Sequence, residues 1–267
     1  MSTRTEVTGT SRKQFLSRAA AGGAGALAGA SAFEALVPAF ASAKGATKGD
    51  VAIVGAAQIA EALAVTTYTN IINRAPFFKH LADDDQGYLR AARNEEMSHY
   101  ALEMSVTRKP SPFTTFYYPA KMFSEAQTTL DILVTLEDAF IAAYLVGVRD
   151  FSTPDLRVTA ARIMGIESDH RTLARVVAPG VAAQDGGPVE NVTGIQAKAE
   201  SVDPPNNNGY ERTLSWTTIK KAVAALTPFA DKTAAGKAGF DTSKPYAFQP
   251  FTPKLPEPLG EFHSFLG

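Results

Sequence analysis

Two short stretches, Glu96-Met97-Ser98-His99 and Glu167-Ser168-Asp169-His170, repeat the spacing Glu-x-x-His in a chain with only four histidines. Residues three apart on a helix lie on one face, so each pair can offer a carboxylate and an imidazole to one ion. If both pairs serve a single site, both stretches must be helical and must face a common interior. No other feature of the sequence constrains the fold as tightly.

The chain around them supplies four long segments of helical periodicity. The first is expected from about Asp50 to Asn73 and ends before Pro76. The second is expected from about Asp84 to Arg108, stopped by Pro110 and Pro112. The third runs from an N-cap at Ser124 to Arg149, and the fourth follows Ser152-Thr153. Pro154 takes the favoured first position of that last helix, which should stop before Pro179-Gly180. Short connections join the first helix to the second and the third to the fourth. Between the second and third lies KPSPFTTFYYPAKMF, rich in proline and aromatics. Extended, it reaches about 50 Å, whereas a helix of the expected length spans only about 37 Å. It can therefore run back along the whole bundle. The expected fold class is all-α: a four-helix bundle of two antiparallel hairpins joined by one long crossover, over residues 44–180.

A site for two ions needs one further glutamate from each of the other helices. Glu61 in QIAEALAVTTY and Glu137 in LVTLEDAFIAAYL are the only glutamates inside theirs. The expected helix midpoints fall near residues 62, 96, 137 and 166, so Glu61, Glu96, Glu137 and Glu167 should lie at one depth. Tyr68 and Tyr144 each follow a candidate glutamate by seven residues, which suggests two pseudo-symmetric halves; core aromatics with a bonded hydroxyl are the simpler reading of both. Four carboxylates with two neutral imidazoles carry a charge that two divalent cations cancel. There is no cysteine, so thiolate zinc sites, iron–sulfur clusters and disulfides are excluded. Oxygen and imidazole donors suit iron or manganese. Without ions, the same residues would form a buried polar network whose carboxylates must take up protons. His80 and His263 lie outside the pattern and read as ordinary surface or tail residues.

Residues 1–43 differ from the rest. SRKQFL, a run of Ala and Gly, and a small-residue ending at Ala41-Ser42-Ala43 read as a signal peptide cleaved before Lys44. The motif is similar to a twin-arginine export signal, with Lys13 where the second arginine would stand. A periplasmic or otherwise extracytoplasmic protein is expected, with no membrane span after signal removal. The near-balanced charge, 26 basic against 27 acidic residues, gives no footprint for nucleic acid. From Val181 onward Gly, Pro and Asn dominate, and a C-terminal extension over 181–267 is expected to pack on the bundle. One helix is expected there, from about Leu214 to Asp231, with the only tryptophan, Trp216. The tail KPYAFQPFTPKLPEPLGEFHSFLG has too many prolines for regular structure.

Four stretches carry a resemblance: DVAIVGAAQIAEALAVTTYTNII, NEEMSHYALEM, TLEDAFIAAYL and IESDHRTLARV. Over about residues 50–180 the chain is similar to ferritin-like domain proteins of bacteria, especially exported ones related to desiccation-associated proteins. The resemblance implies the ferritin-like fold and places metal ligands at Glu61, Glu96, His99, Glu137, Glu167 and His170. It implies two iron ions, or two manganese ions, and chemistry with oxygen or peroxide: ferrous oxidation, peroxide removal or oxygen activation, here as part of an envelope stress response. A cage for iron storage has no counterpart to the Pro-rich extension. Two readings from other classes stand beside this one: a non-catalytic structural or stress-protective protein, and a binding module using the aromatic crossover and tail. Helical bundles often form a homodimer, but nothing in the sequence specifies an interface.

Overall fold

The computed structural model describes residues 47–180 and 218–254. Four long helices form the bundle: α1 Lys48–Arg74, α2 Asp83–Thr107, α3 Ala126–Asp150 and α4 Pro154–Gly180. Helices α1 and α2 pack as one hairpin, α3 and α4 as the other. The fold is all-α with ferritin-like connectivity, as the segment lengths imply.

Helix α1 is the most buried of the four. It is apolar and long enough to cross a membrane, yet 89% of that apolar window is buried inside the protein. Its start is fixed by a capping box, with Thr47 accepting from Asp50 N and Asp50 accepting from Thr47 N. The Asp50 carboxylate also takes hydrogen bonds from the backbone and hydroxyl of Ser152. The first turn of α1 is thereby tied to the α3–α4 loop. Pro154 opens α4, and Thr153 accepts from Leu156 N in its first turn.

Three local expectations need correction. Ser124 does not cap α3: the N-cap residue is Glu125, and the Ser124 hydroxyl donates to the Lys121 carbonyl instead. Helix α4 continues through Pro179 to Gly180, a difference of the size usual at helix ends. The extension holds two helices among the described residues, α5 Ile219–Ala230 and α6 Lys232–Ala238. Asp231 separates them: its backbone is extended and its side chain accepts from Ala234 N, so it caps α6 where the first helix stops. Trp216 and the segment 181–217 lie outside the described residues, as do residues 1–46 and His263.

The tail is more regular than its prolines suggest. Tyr246–Ala247 (β2) pairs antiparallel with Thr115–Phe116 (β1) of the crossover, Thr115 opposite Ala247 and Phe116 opposite Tyr246. A two-residue strand gains little alone, and aromatic packing fixes the pair. Tyr118 makes edge contacts with Phe123, Phe229 and Tyr246. Phe248 packs tilted against Tyr100 of α2, with ring centroids 4.7 Å apart. Crossover, α5 and tail thus form one aromatic layer over the bundle.

Candidate metal centre

The middle of the bundle is where a packed core should be apolar, and there the chain places carboxylates. Glu61, Glu96, Glu137 and Glu167 are each at most 2% exposed, His170 is 3% and His99 9% exposed. Each of the four bundle helices contributes, because each carries its candidate glutamate near mid-length. Two overlapping sets result. Glu61, Glu96, His99 and Glu167 bring ligand atoms within 4.8 Å of one another, and so do Glu96, Glu137, Glu167 and His170. All six residues singled out from sequence fall in these sets. Glu96 and Glu167, one from each Glu-x-x-His pair, belong to both.

Hydrogen bonding leaves much of this cluster unsatisfied. Glu61 Oε2, Glu96 Oε2, Glu137 Oε2, both oxygens of Glu167 and His99 Nδ1 are buried without a hydrogen-bond partner. A buried, unpaired carboxylate oxygen is costly unless a proton or a cation answers it. His99 Nδ1 lies 3.2 Å from Glu167, 3.5 Å from Glu96 and 3.6 Å from Glu61, central to three acids. The donor set is all oxygen and imidazole, the orphaned atoms converge, and the ligands form two groups sharing two carboxylates. These residues fit metal ions.

Protonation follows the same crowding. Burial, followed by the charges of Glu96 and Glu167, pushes the carboxyls of Glu61 and Glu137 well above the usual carboxylate range. Burial would raise Glu96 too, but the neighbouring His170 outweighs it and holds Glu96 far below that range. Burial alone would lower both histidines. The carboxylates around them win instead: Glu61 first for His99, and Glu96 first for His170.

Two tyrosines complete the polar layer. Tyr68 of α1 donates to Glu137 Oε1 of α3 at 2.7 Å, and Tyr144 of α3 donates to Glu61 Oε1 of α1. Tyr68 also sets its edge against the His170 ring, centroids 5.7 Å apart. Both are core aromatics with bonded hydroxyls, and their partners are the site's own carboxylates.

Sequence reasoning missed four residues here. Glu95 of α2 bonds His170 Nε2 at 2.8 Å, while Glu96 bonds Nδ1 at 2.9 Å. With Nε2–H given to Glu95, Nδ1 is the nitrogen that faces Glu96 and Glu167. Glu103 is 3% exposed and its Oε1 meets the Tyr144 hydroxyl at 2.8 Å. One hydroxyl has one proton, so Glu61 and Glu103 cannot both accept from Tyr144. Burial raises the Glu103 carboxyl well above its ordinary value, which lets it act as the protonated partner. Arg171 and Asp138 form a buried ion pair at 2.7 Å, each next in sequence to a site residue. Glu103 had a signal in its spacing of four from His99, the other face-sharing interval of a helix. His80, by contrast, is exposed in the short turn Phe78–His80.

A family model described as ferritin-like domain matches residues 14–178. The chain belongs to the ferritin-like domain family. The match covers the four-helix bundle to within two residues of the end of α4 and begins within the segment read as an export signal, which lies outside the described residues. Neither the curated proteins nor the solved structures gave a match. The ferritin-like assignment therefore rests on the family model, the bundle connectivity and the buried Glu/His cluster.

Proposed function

We propose that this ferritin-like chain is an exported redox protein holding two iron ions between its hairpins. Glu61 and His99 would hold one, Glu137 and His170 the other, with Glu96 and Glu167 shared between them. The observation that carries the reading is the set of buried, unpartnered carboxylate oxygens converging from four helices. Two ferrous ions, when bound, supply the two electrons that with two protons take dioxygen to hydrogen peroxide, or hydrogen peroxide to two waters.

The chain's own part is to hold, orient and exclude. Tyr68 and Tyr144 anchor one oxygen of Glu137 and of Glu61, leaving the other oxygen of each for an ion. Glu95 fixes the His170 tautomer. Burial of the four glutamates keeps water from them, and in that low-dielectric setting their charge attracts a cation strongly. Ferrous oxidation or peroxide removal in the cell envelope is the function we infer. The segment before Lys44 supports the envelope location by its composition and its small-residue ending.

Elemental analysis of the mature protein, purified without chelator or added metal, tests this directly. Two equivalents of iron per chain are expected, with loss in Glu96→Ala and in His170→Ala. Two equivalents of manganese would keep the site and replace the iron assignment. A folded protein that holds no transition metal, and takes up none anaerobically from ferrous salt, would make the cluster a protonated polar core. N-terminal sequencing of the same material should begin at Lys44.

A further inference from the structure

Beside the candidate centre, toward the end of the bundle that holds Thr47 and Pro154, lies a cavity walled by all four bundle helices. Ala57, Val106, Ala160 and Ile163 line it, and Ile219 of α5 adds a wall from the C-terminal extension. It is partly open to solvent, and its volume is about 30 Å³, room for a very small molecule and not for an organic substrate. Tyr144 and Glu103 also face it, but their polar atoms are turned toward Glu61 and one another, and no polar atom opens onto the space. The cavity thus ends one hydrogen-bonded side chain away from Glu61.

The lining decides what the space can hold. Water against apolar walls needs two or more polar partners to offset its lost hydrogen bonds, and these walls offer none. Hydrogen peroxide has the same need, and a hydrated ferrous ion needs far more. A small apolar molecule loses nothing by leaving water and gains contact with the walls. We propose that this cavity is a binding and access site for dioxygen, serving the metal centre from the Tyr144 side. This rests on the redox reading above and narrows it, making dioxygen the oxidant for which the fold provides a path. Peroxide and the metal ions reach the cluster elsewhere. The α5 helix, through Ile219, is then part of the oxygen path as well as a cover for the bundle.

Xenon tests the cavity independently of any reaction, since it occupies apolar voids of proteins. Crystals of the protein as purified, held under xenon, should show xenon between Ala57, Ala160 and Ile219, and an A57L/A160L variant should lose it. Absence of xenon there in the wild type would overturn the proposal. The kinetic arm uses ferrous-loaded wild type and A57L/A160L, with iron content measured on the same samples. Filling the cavity should raise several-fold the oxygen concentration needed for half-maximal oxidation, and leave oxidation by added hydrogen peroxide unchanged. If the oxygen dependence is unaltered, or both oxidants slow alike, the cavity is not the path. An iron-free wild type that still binds xenon would sink the metal reading while keeping an apolar gas site.

Discussion

Tyr68 on α1 donates its hydroxyl to Glu137 on α3 across 2.7 Å, and the reverse crossing is made by Tyr144 to Glu61. Each candidate ligand on one central helix is therefore held by a tyrosine of the other. Burial, then the charge of Glu137, drives the Tyr68 phenol well above its ordinary value, so it remains a donor at any ordinary pH. Tyr68→Phe removes that donor and leaves Glu137 Oε1 unpaired in the core. We expect a loss of about 1–3 kcal/mol in the metal-free protein and weaker iron binding by about 10–100-fold. Chemical denaturation and an anaerobic ferrous titration of the variant measure both, and unchanged affinity would show that the tyrosine only fills space.

Bound metal should oppose the pH dependence of stability. In the metal-free protein Glu61 and Glu137 are raised above their ordinary 4.5, and His99 and His170 above 6.5. The folded state then binds more protons than the unfolded one, and the stability this confers is lost as pH rises through the folded values. Glu96, held low, contributes in the opposite sense, but its share is complete above 4.5 and does not vary further. Thermal melts of the metal-free protein should therefore show Tm falling from about pH 5 to pH 8. Ions compete with those same protons, so the gain in Tm on adding ferrous or manganous ion should grow over the same range. A metal-free Tm that rises across the range would contradict the assigned shifts.

Most of the fold and the six central residues were readable from sequence because their signals are local. Proline punctuation gave the helix limits to within a few residues, and Glu-x-x-His needs only one helix to be seen. Glu61 and Glu137 stood out because they interrupt apolar runs. Glu103 did not, since α2 is polar along its length and a buried glutamate there looks like the exposed acids of the same helix, Asp83 and Asp84. The bond from Glu95 to His170 joins two helices whose relative rotation no spacing reveals. The pairing of Thr115–Phe116 with Tyr246–Ala247 was hidden for the same reason: two residues of strand, far apart in sequence, carry no periodicity. Helix α6, with Gly236 inside seven residues, is set by the Asp231 cap and by packing more than by propensity.

Holding carboxylates in a core opposes stability, and Glu61→Gln should expose that conflict. Glutamine copies the protonated form that burial and the charges of Glu96 and Glu167 already favour at this position. It still accepts from Tyr144, while it can no longer become an anion as pH rises. At pH 7 the metal-free variant should be at least as stable as wild type, with a shallower fall toward alkaline pH and loss of one ion-binding group. Parallel melts and iron analysis check this. A variant clearly less stable than wild type without metal would mean that Glu61 is ionised and paired in the folded protein.

The Arg171–Asp138 pair offers the sharpest separation of framework from site. Its members follow His170 and Glu137 directly, are 4% exposed each, and link α4 to α3 at 2.7 Å. Arg171→Met would remove the guanidinium that meets Asp138 at 2.7 Å in the core, at a cost of about 3–5 kcal/mol. Replacing both partners, as R171M/D138L, removes both charges and should recover most of that loss, because two apolar side chains need no desolvation to be offset. The double variant should also keep its ion stoichiometry if the pair only joins the hairpin. Urea denaturation of the two singles and the double gives the coupling, and ferrous titration gives the stoichiometry. Recovery of stability with loss of one ion would show instead that the salt bridge sets the rotation of α4 on which His170 depends.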